Sequence, residues 1–156
     1  MNHALPSTAR SLPISLIRAR EGVMAPIRHM LAETGITEQQ WRVLRVLAEH
    51  GTLDAKTLAS RACLLFPSLT RIAATLRKKG LITQTQDEDD RRRQLVSITA
   101  EGQAIISKNA RQAVAIVEDF RQLLGDADYE QLLDLLERLH PSITNEQDPE
   151  EHVHDG

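Results

Sequence analysis

The sequence predicts a mainly α-helical chain carrying one small β-hairpin, and three observations predict it. Apolar residues recur at helical spacing, between capping and terminating residues, across most of residues 11–140. The pattern changes only at 81–86 and 94–98, two short segments rich in Ile, Val and Thr joined by a charged loop. Charge is segregated as well. Lys56 to Arg93 holds nine basic and four acidic residues, net +5, whereas the rest holds 10 basic and 18 acidic, net −8. The overall charge of −3 speaks against a nucleic-acid partner, but a local patch governs what approaches a surface more than the total does.

Residues 1–10 read as a disordered start. A first helix is expected from about Ser11, with Pro13 in its opening turn and Ile14, Ile17, Met24, Ile27 and Leu31 on its apolar side. Pro26 is expected to bend or split it, because proline removes one hydrogen bond and crowds the preceding turn. Thr37 and Gln40 form a capping box for the second helix, with Trp41, Leu44 and Leu47 as its stripe and Gly51 as its end. Asp54 caps a short third helix with Leu58, Ala59 and Ala62 inward. After Cys63-Leu64-Leu65, Pro67 opens a fourth helix whose inner face is Leu69, Ile72, Ala73 and Leu76, with Gly80 terminating it. Beyond the hairpin, Thr99 caps a fifth helix carrying Ile106, Ala110, Ala113, Val117, Phe120 and Leu124. Asp126 caps the sixth, with Tyr129, Leu132, Leu133, Leu136 and Leu139 before Pro141. Residues 141–156 read as an acidic flexible tail. No internal repeat is present.

Several classes are set aside. No apolar run approaches the roughly 20 residues of a membrane span, and the start lacks the features of a secretory signal, so a cytoplasmic location is expected. A single cysteine excludes an internal disulfide and any cysteine-rich zinc module. No Gly-rich phosphate loop, metal-ligand spacing or nucleophile–base–orienter triplet is visible, so neither enzyme activity, nor a metal site, nor a cofactor is expected.

Helix, short turn, helix, hairpin is the order of a winged helix-turn-helix, in which the second helix of the pair docks by an apolar face and enters the major groove by a polar one. Residues 67–79 meet both demands. With Leu69, Ile72 and Leu76 inward, Ser68, Arg71, Thr75 and Lys78 face outward, with Pro67 at the helix start and Thr70 at the margin. Ser and Thr hydrogen-bond bases or phosphates, and the arginine fork matches a guanine edge. Lys78 and Lys79 suit phosphates. At the hairpin tip, Asp87 to Asp90 precede Arg91, Arg92 and Arg93. Acids there, Asp90 above all, can hold arginines in posture for the narrow minor groove. Either feature alone describes an ordinary solvated surface; their order and tight spacing carry the reading.

Three stretches then show a family resemblance: TEQQWRVLRVLAEHG (37–51), PSLTRIAATLRKKGLI (67–82) and DEDDRRRQLVSITAEGQ (87–103). They resemble the multiple antibiotic resistance regulator (MarR) family of winged-helix repressors, and the likeness extends over nearly all of residues 12–140. LIRARE (16–21), TEQQWRVLR (37–45) and RACLLFPSLT (61–70) are similar to the subgroup that regulates homoprotocatechuate (aromatic acid) degradation.

The resemblance implies a DNA-binding domain at 36–99 and dimerisation helices at 11–35 and 100–140, whose apolar faces exceed what a small winged helix can cover. A homodimer would present two recognition helices about 34 Å apart and read a pseudo-palindromic operator. The resemblance also implies release by a small aromatic acid. Contacts for it are sought among Arg18, Arg20, Arg28, His29, Trp41 and Arg42, since arginine clamps carboxylates and an indole packs on a ring. The bland alternative is that Trp41 is core and the arginines are surface or interface residues. Two other readings stay open: a winged-helix protein-interaction module without DNA, and a redox-responsive regulator acting through Cys63. Cys63 precedes Leu64-Leu65-Phe66, so buried packing is the expectation for it. His152 and His154 are expected to be solvent-exposed rather than metal ligands.

Overall fold

The computed structural model describes residues 4–144. Its elements are α1 (Leu12–Leu31), α2 (Glu38–His50), β1 (Leu53–Asp54), α3 (Ala55–Arg61), α4 (Phe66–Lys78), β2 (Ile82–Gln86), β3 (Gln94–Ile98), α5 (Ala100–Leu124) and α6 (Asp126–Thr144). The chain divides into two units, one running through Val114 and one beginning at Ala115, so the boundary falls inside α5. Among the described residues, no helix is long and apolar enough to cross a membrane.

The first unit holds a winged helix-turn-helix. Thr37 Oγ1 accepts the Gln40 amide and Gln40 Oε1 accepts the Thr37 amide, both at 3.1 Å, which completes the capping box of α2. Trp41, Val43, Leu44 and Leu47 of that helix are buried, with Leu58, Ala59 and Ala62 from α3 and its end, and Leu69, Ala73 and Leu76 from α4. Ile72 is half-buried, so the inner face of α4 turns slightly toward Ala73 from the position that its period predicts. Gly80 takes φ +72°. Its amide donates to Arg77 O and that of Leu81 to Leu76 O, so two orphan carbonyls of α4 are satisfied by the turn that glycine makes cheap.

The wing is antiparallel, with Ile82 opposite Ile98 and Gln86 opposite Gln94. Strand β1, which sequence reasoning missed, pairs Leu53 with Val96 and Asp54 with Leu95, giving the order β1-β3-β2. Thr99 then does three things. Its hydroxyl donates to Gly80 O at 2.7 Å and accepts the Gly102 amide at 3.1 Å, and its own amide donates to Leu81 O at 3.0 Å. The end of the recognition helix is thereby bolted to the start of α5. A Cβ on Gly102 would lie 2.3 Å from Leu81 O, which explains why Gly follows Thr-Ala-Glu at this turn.

Four expectations need correction. Thr8–Arg10 forms a short 3-10 turn capped by Ser7, inside the stretch expected to be disordered. Helix α1 is not split at Pro26. The carbonyl four residues before the proline belongs to Gly22, a residue whose backbone, lacking a Cβ, is the least restricted. Helix α6 continues through Pro141 to Thr144. The remainder of the acidic tail, with His152 and His154, lies outside the described residues.

The fourth correction is Cys63, which is exposed. It occupies a left-handed turn, φ +53°, that ends α3 as Gly80 ends α4, with the Cys63 amide on Ser60 O and the Leu64 amide on Ala59 O. That turn aims the thiol outward and leaves Leu64 half-buried in its place.

In the second unit, Arg121 pairs with Asp126 and Glu130 and lies 4.4 Å from the Tyr129 ring centroid, tying the start of α6 to the end of α5. The leucines of α6 at 132, 133, 135, 136 and 139 are exposed in the single chain.

Candidate nucleic-acid interface

Helix α4 presents two faces of opposite character. Leu69, Ala73 and Leu76 are 1% exposed or less, while Thr70, Arg71, Thr75 and Lys78 are exposed and Ser68 is half-exposed. Pro67 stands in the first turn, where its missing N–H leaves no bond unmade. The two threonines donate their hydroxyl protons to their own helix, Thr70 to Phe66 O at 3.1 Å and Thr75 to Arg71 O at 3.3 Å. Both residues are exposed, and each hydroxyl oxygen keeps lone pairs to accept with, which suits the exocyclic amines of adenine and cytosine. Arg71 and Lys78 form no ion pair among the described residues, so both cations are uncompensated.

Lys79 is different. Its Nζ donates to Gly35 O at 2.7 Å and approaches Gln40 Oε1 at 3.4 Å. It ties the end of α4 to the turn before α2 rather than reaching outward.

The wing tip sorts its three arginines. Asp90 Oδ1 accepts Arg92 Nε at 3.2 Å and the Arg92 amide at 3.1 Å; the side-chain bond first, and the amide after it, hold the Asp90 carboxyl below its ordinary pKa. Arg93 turns back to Asp54 at 3.3 Å and Asp87 at 3.5 Å. Asp54 also caps α3, accepting the Thr57 amide at 3.0 Å and its hydroxyl at 2.7 Å. Those Thr57 bonds first, and Arg93 after them, lower the Asp54 pKa. Arg93 is thus a brace between the wing and α3. Arg91 makes no ion pair among the described residues and is exposed. The role of Asp54 as brace was missed because its partner lies 39 residues away in sequence.

The six residues singled out for an effector do not converge on one site. Arg20 and Arg28 meet at Glu38, with Arg20 Nη2 at 2.7 Å and Arg28 Nε at 3.1 Å, and Arg28 also grips Glu21 with both terminal nitrogens at 3.0 and 3.2 Å. The Arg20 bond first lowers the Glu38 pKa, and the Arg28 bond first lowers that of Glu21. This network joins α1 to the first turn of α2. Arg18 and His29 are exposed. Trp41 is 7% exposed, in the core, and Arg42 is half-buried with an Nε that has no hydrogen-bond partner.

Residues 36–93 match the model of the MarR family. The chain is 40% identical over 129 residues to the HTH-type transcriptional regulator FarR of Neisseria gonorrhoeae, covering 83% of this chain and 88% of that one. It is 38% identical over 133 residues to the homoprotocatechuate degradative operon repressor of Escherichia coli, covering 85% and 88%. Among solved structures, NadR in complex with 4-hydroxyphenylacetate superposes with a TM-score of 0.76 at 39% identity, covering 87% of this chain and 96% of that one. These relatives are transcriptional regulators, not enzymes. An outward-facing recognition helix, a braced wing and this degree of likeness over most of both chains lead to one conclusion: the chain belongs to the MarR family.

Proposed function

We propose that this chain is a DNA-binding transcriptional repressor that reads a pseudo-palindromic operator as a homodimer and is released by a small aromatic carboxylate. The observation that carries the reading is the recognition helix, anchored by Leu69, Ala73 and Leu76 and displaying Ser68, Thr70, Arg71, Thr75 and Lys78. Arg71 and the two threonines address bases, Lys78 a phosphate, and Arg91 the minor groove. Exposed apolar residues on α1 (Leu12, Ile14, Leu16, Ile17), and separately on α5 (Val114, Val117, Leu124) and on α6, offer apolar surface to a second copy. A DNA-bound role places the protein in the compartment that holds the chromosome.

The names of the relatives support an aromatic acid as effector. Within this chain, a carboxylate seeking Arg20 or Arg28 must compete with Glu38 and Glu21, whereas Arg42 carries an unmet buried donor one residue from Trp41. An effector releases DNA only by binding the DNA-incompetent state more tightly, with a coupling typically of about 1–3 kcal/mol.

Selection of bound duplexes from random sequence, followed by gel shifts, tests the reading. Arg71→Ala should weaken operator binding by about 1–3 kcal/mol and relax base preference. Unchanged affinity and selectivity in that variant would refute the assignment. Aryl-acetic and phenolic acids should raise Tm and then dissociate the complex.

The exposure of Cys63 favours a second reading, oxidation-controlled release, since exposure is one requirement of a sensor thiol. Peroxide should then abolish DNA binding by the wild type and spare Cys63→Ser.

A further inference from the structure

Between the recognition helix and the wing lies a cleft of about 460 Å³, lined by Lys56, Phe66, Arg92 and Arg93 together with Asp54 and Asp90. We infer that this cleft seats one sugar–phosphate unit of the DNA backbone, with the phosphate on Lys56 and Arg92 and the deoxyribose against the Phe66 ring. The inference rests on the DNA-binding reading and adds two contact residues to it, Lys56 and Phe66.

Duplex geometry supplies the first reason. A major groove and the adjacent minor groove are separated by a single phosphodiester strand. If α4 occupies the one and the wing tip the other, that strand must run between them. The cleft is the concave surface at that place.

Charge supplies the second. Both acids in the lining are already engaged. Asp54 accepts from Thr57 and Arg93, and Asp90 from the amide and Nε of Arg92. Asp90 takes Arg92 through Nε alone, which leaves the terminal nitrogens of an exposed side chain for a second anion. Lys56 is exposed and has no acidic partner among the described residues. The cleft therefore combines a free ammonium with an open guanidinium fork.

Phe66 supplies the third. It is the first residue of α4, and the residue is 48% exposed in a chain with only two phenylalanines. An exposed ring between cations offers an apolar surface to the apolar face of a sugar. Its burial on binding would hold the register of the recognition helix without reading a base.

The test uses the full-length protein and a duplex selected by it. Lys56→Gln and Arg92→Gln should each lower the slope of log K against log salt by about 1, and weaken cognate and scrambled duplexes alike. Phe66→Ala should weaken both by about tenfold, with Phe66→Leu retaining most of the affinity. A neutral methylphosphonate at one linkage per half-site should weaken the wild type but not Lys56→Gln. Circular dichroism checks that each variant is folded.

Unchanged salt slopes in both charge variants, with the wild type still binding its operator, would overturn the seat and leave the DNA-binding reading standing. A Phe66→Ala defect that vanishes when one thymine is replaced by uracil would overturn it too, by making Phe66 a base reader. Failure of the wild type to bind any duplex at low salt would remove the reading itself, and the seat with it.

Discussion

The helices of the DNA-reading unit and the leucine-rich helix α6 carry apolar stripes of the same period, yet only the first are filled by the chain itself. Leu44, Leu47, Leu58, Leu69 and Leu76 are wholly or almost wholly buried. On α6, Leu133 and Leu136 remain 45% and 38% exposed, and Ile17 of α1 is 66% exposed. Helical periodicity marks where an apolar face is, not what covers it. The first set is closed by a β-ladder, two caps and a Schellman turn within about 60 residues. The second waits for a surface, and a second copy of the chain is the partner we propose.

The largest effect should come from the closed set. Leu47→Ala removes a fully buried side chain and should lower unfolding free energy by about 2–5 kcal/mol in a denaturant titration. A loss under 1 kcal/mol would mean that the reading unit is not the rigid half of the molecule.

Next comes the open set. Leu133→Asp with Leu136→Asp should shift sedimentation from dimer to monomer, each buried leucine contributing about 1.5–3 kcal/mol to association. Helical content should be largely kept. A variant that stays dimeric would show that the α6 face is not the joint.

Asp54 links cap and wing, and sharpens the contrast with titration. Its pKa is lowered in the folded state, so its contribution is present at neutral pH and disappears as pH falls from about 4 through that lowered value. Asp54→Ala should cost about 0.5–2 kcal/mol at pH 7 and flatten the acid limb of the stability profile. An unchanged acid limb would assign that limb to other carboxylates.

The smallest effect on stability is expected at the wing brace. The Arg93 side chain is half-exposed, and Arg93→Gln should change unfolding free energy by less than about 1 kcal/mol. Operator affinity should nevertheless fall, because the wing loses its tie to α3. Equal affinity of Arg93→Gln and wild type would show that the wing needs no brace.

Much of this fold was readable from short-range signals. Thr37 with Gln40, Asp54 with Thr57, and Thr99 with Gly102 are caps acting across three residues, and each forms as its spacing predicts. Gly80 announced its own turn because glycine enters left-handed backbone at little cost. Cys63 makes the same turn without that signal, and its exposure was not foreseen. The outward positions of α4 were also readable, since they follow from the inward ones.

By itself the sequence determined which segments form the six helices, where capped helices such as α2 and α3 start, and which face of α4 is polar, because caps and periods act within one or two turns. Only the tertiary structure decided that Lys79 reaches Gly35, that Arg93 turns to Asp54, and that Arg20 and Arg28 share Glu38. Those pairs join residues 10 to 44 positions apart. A charged side chain finds its partner by proximity in space, and that proximity exists only once the intervening helices have packed.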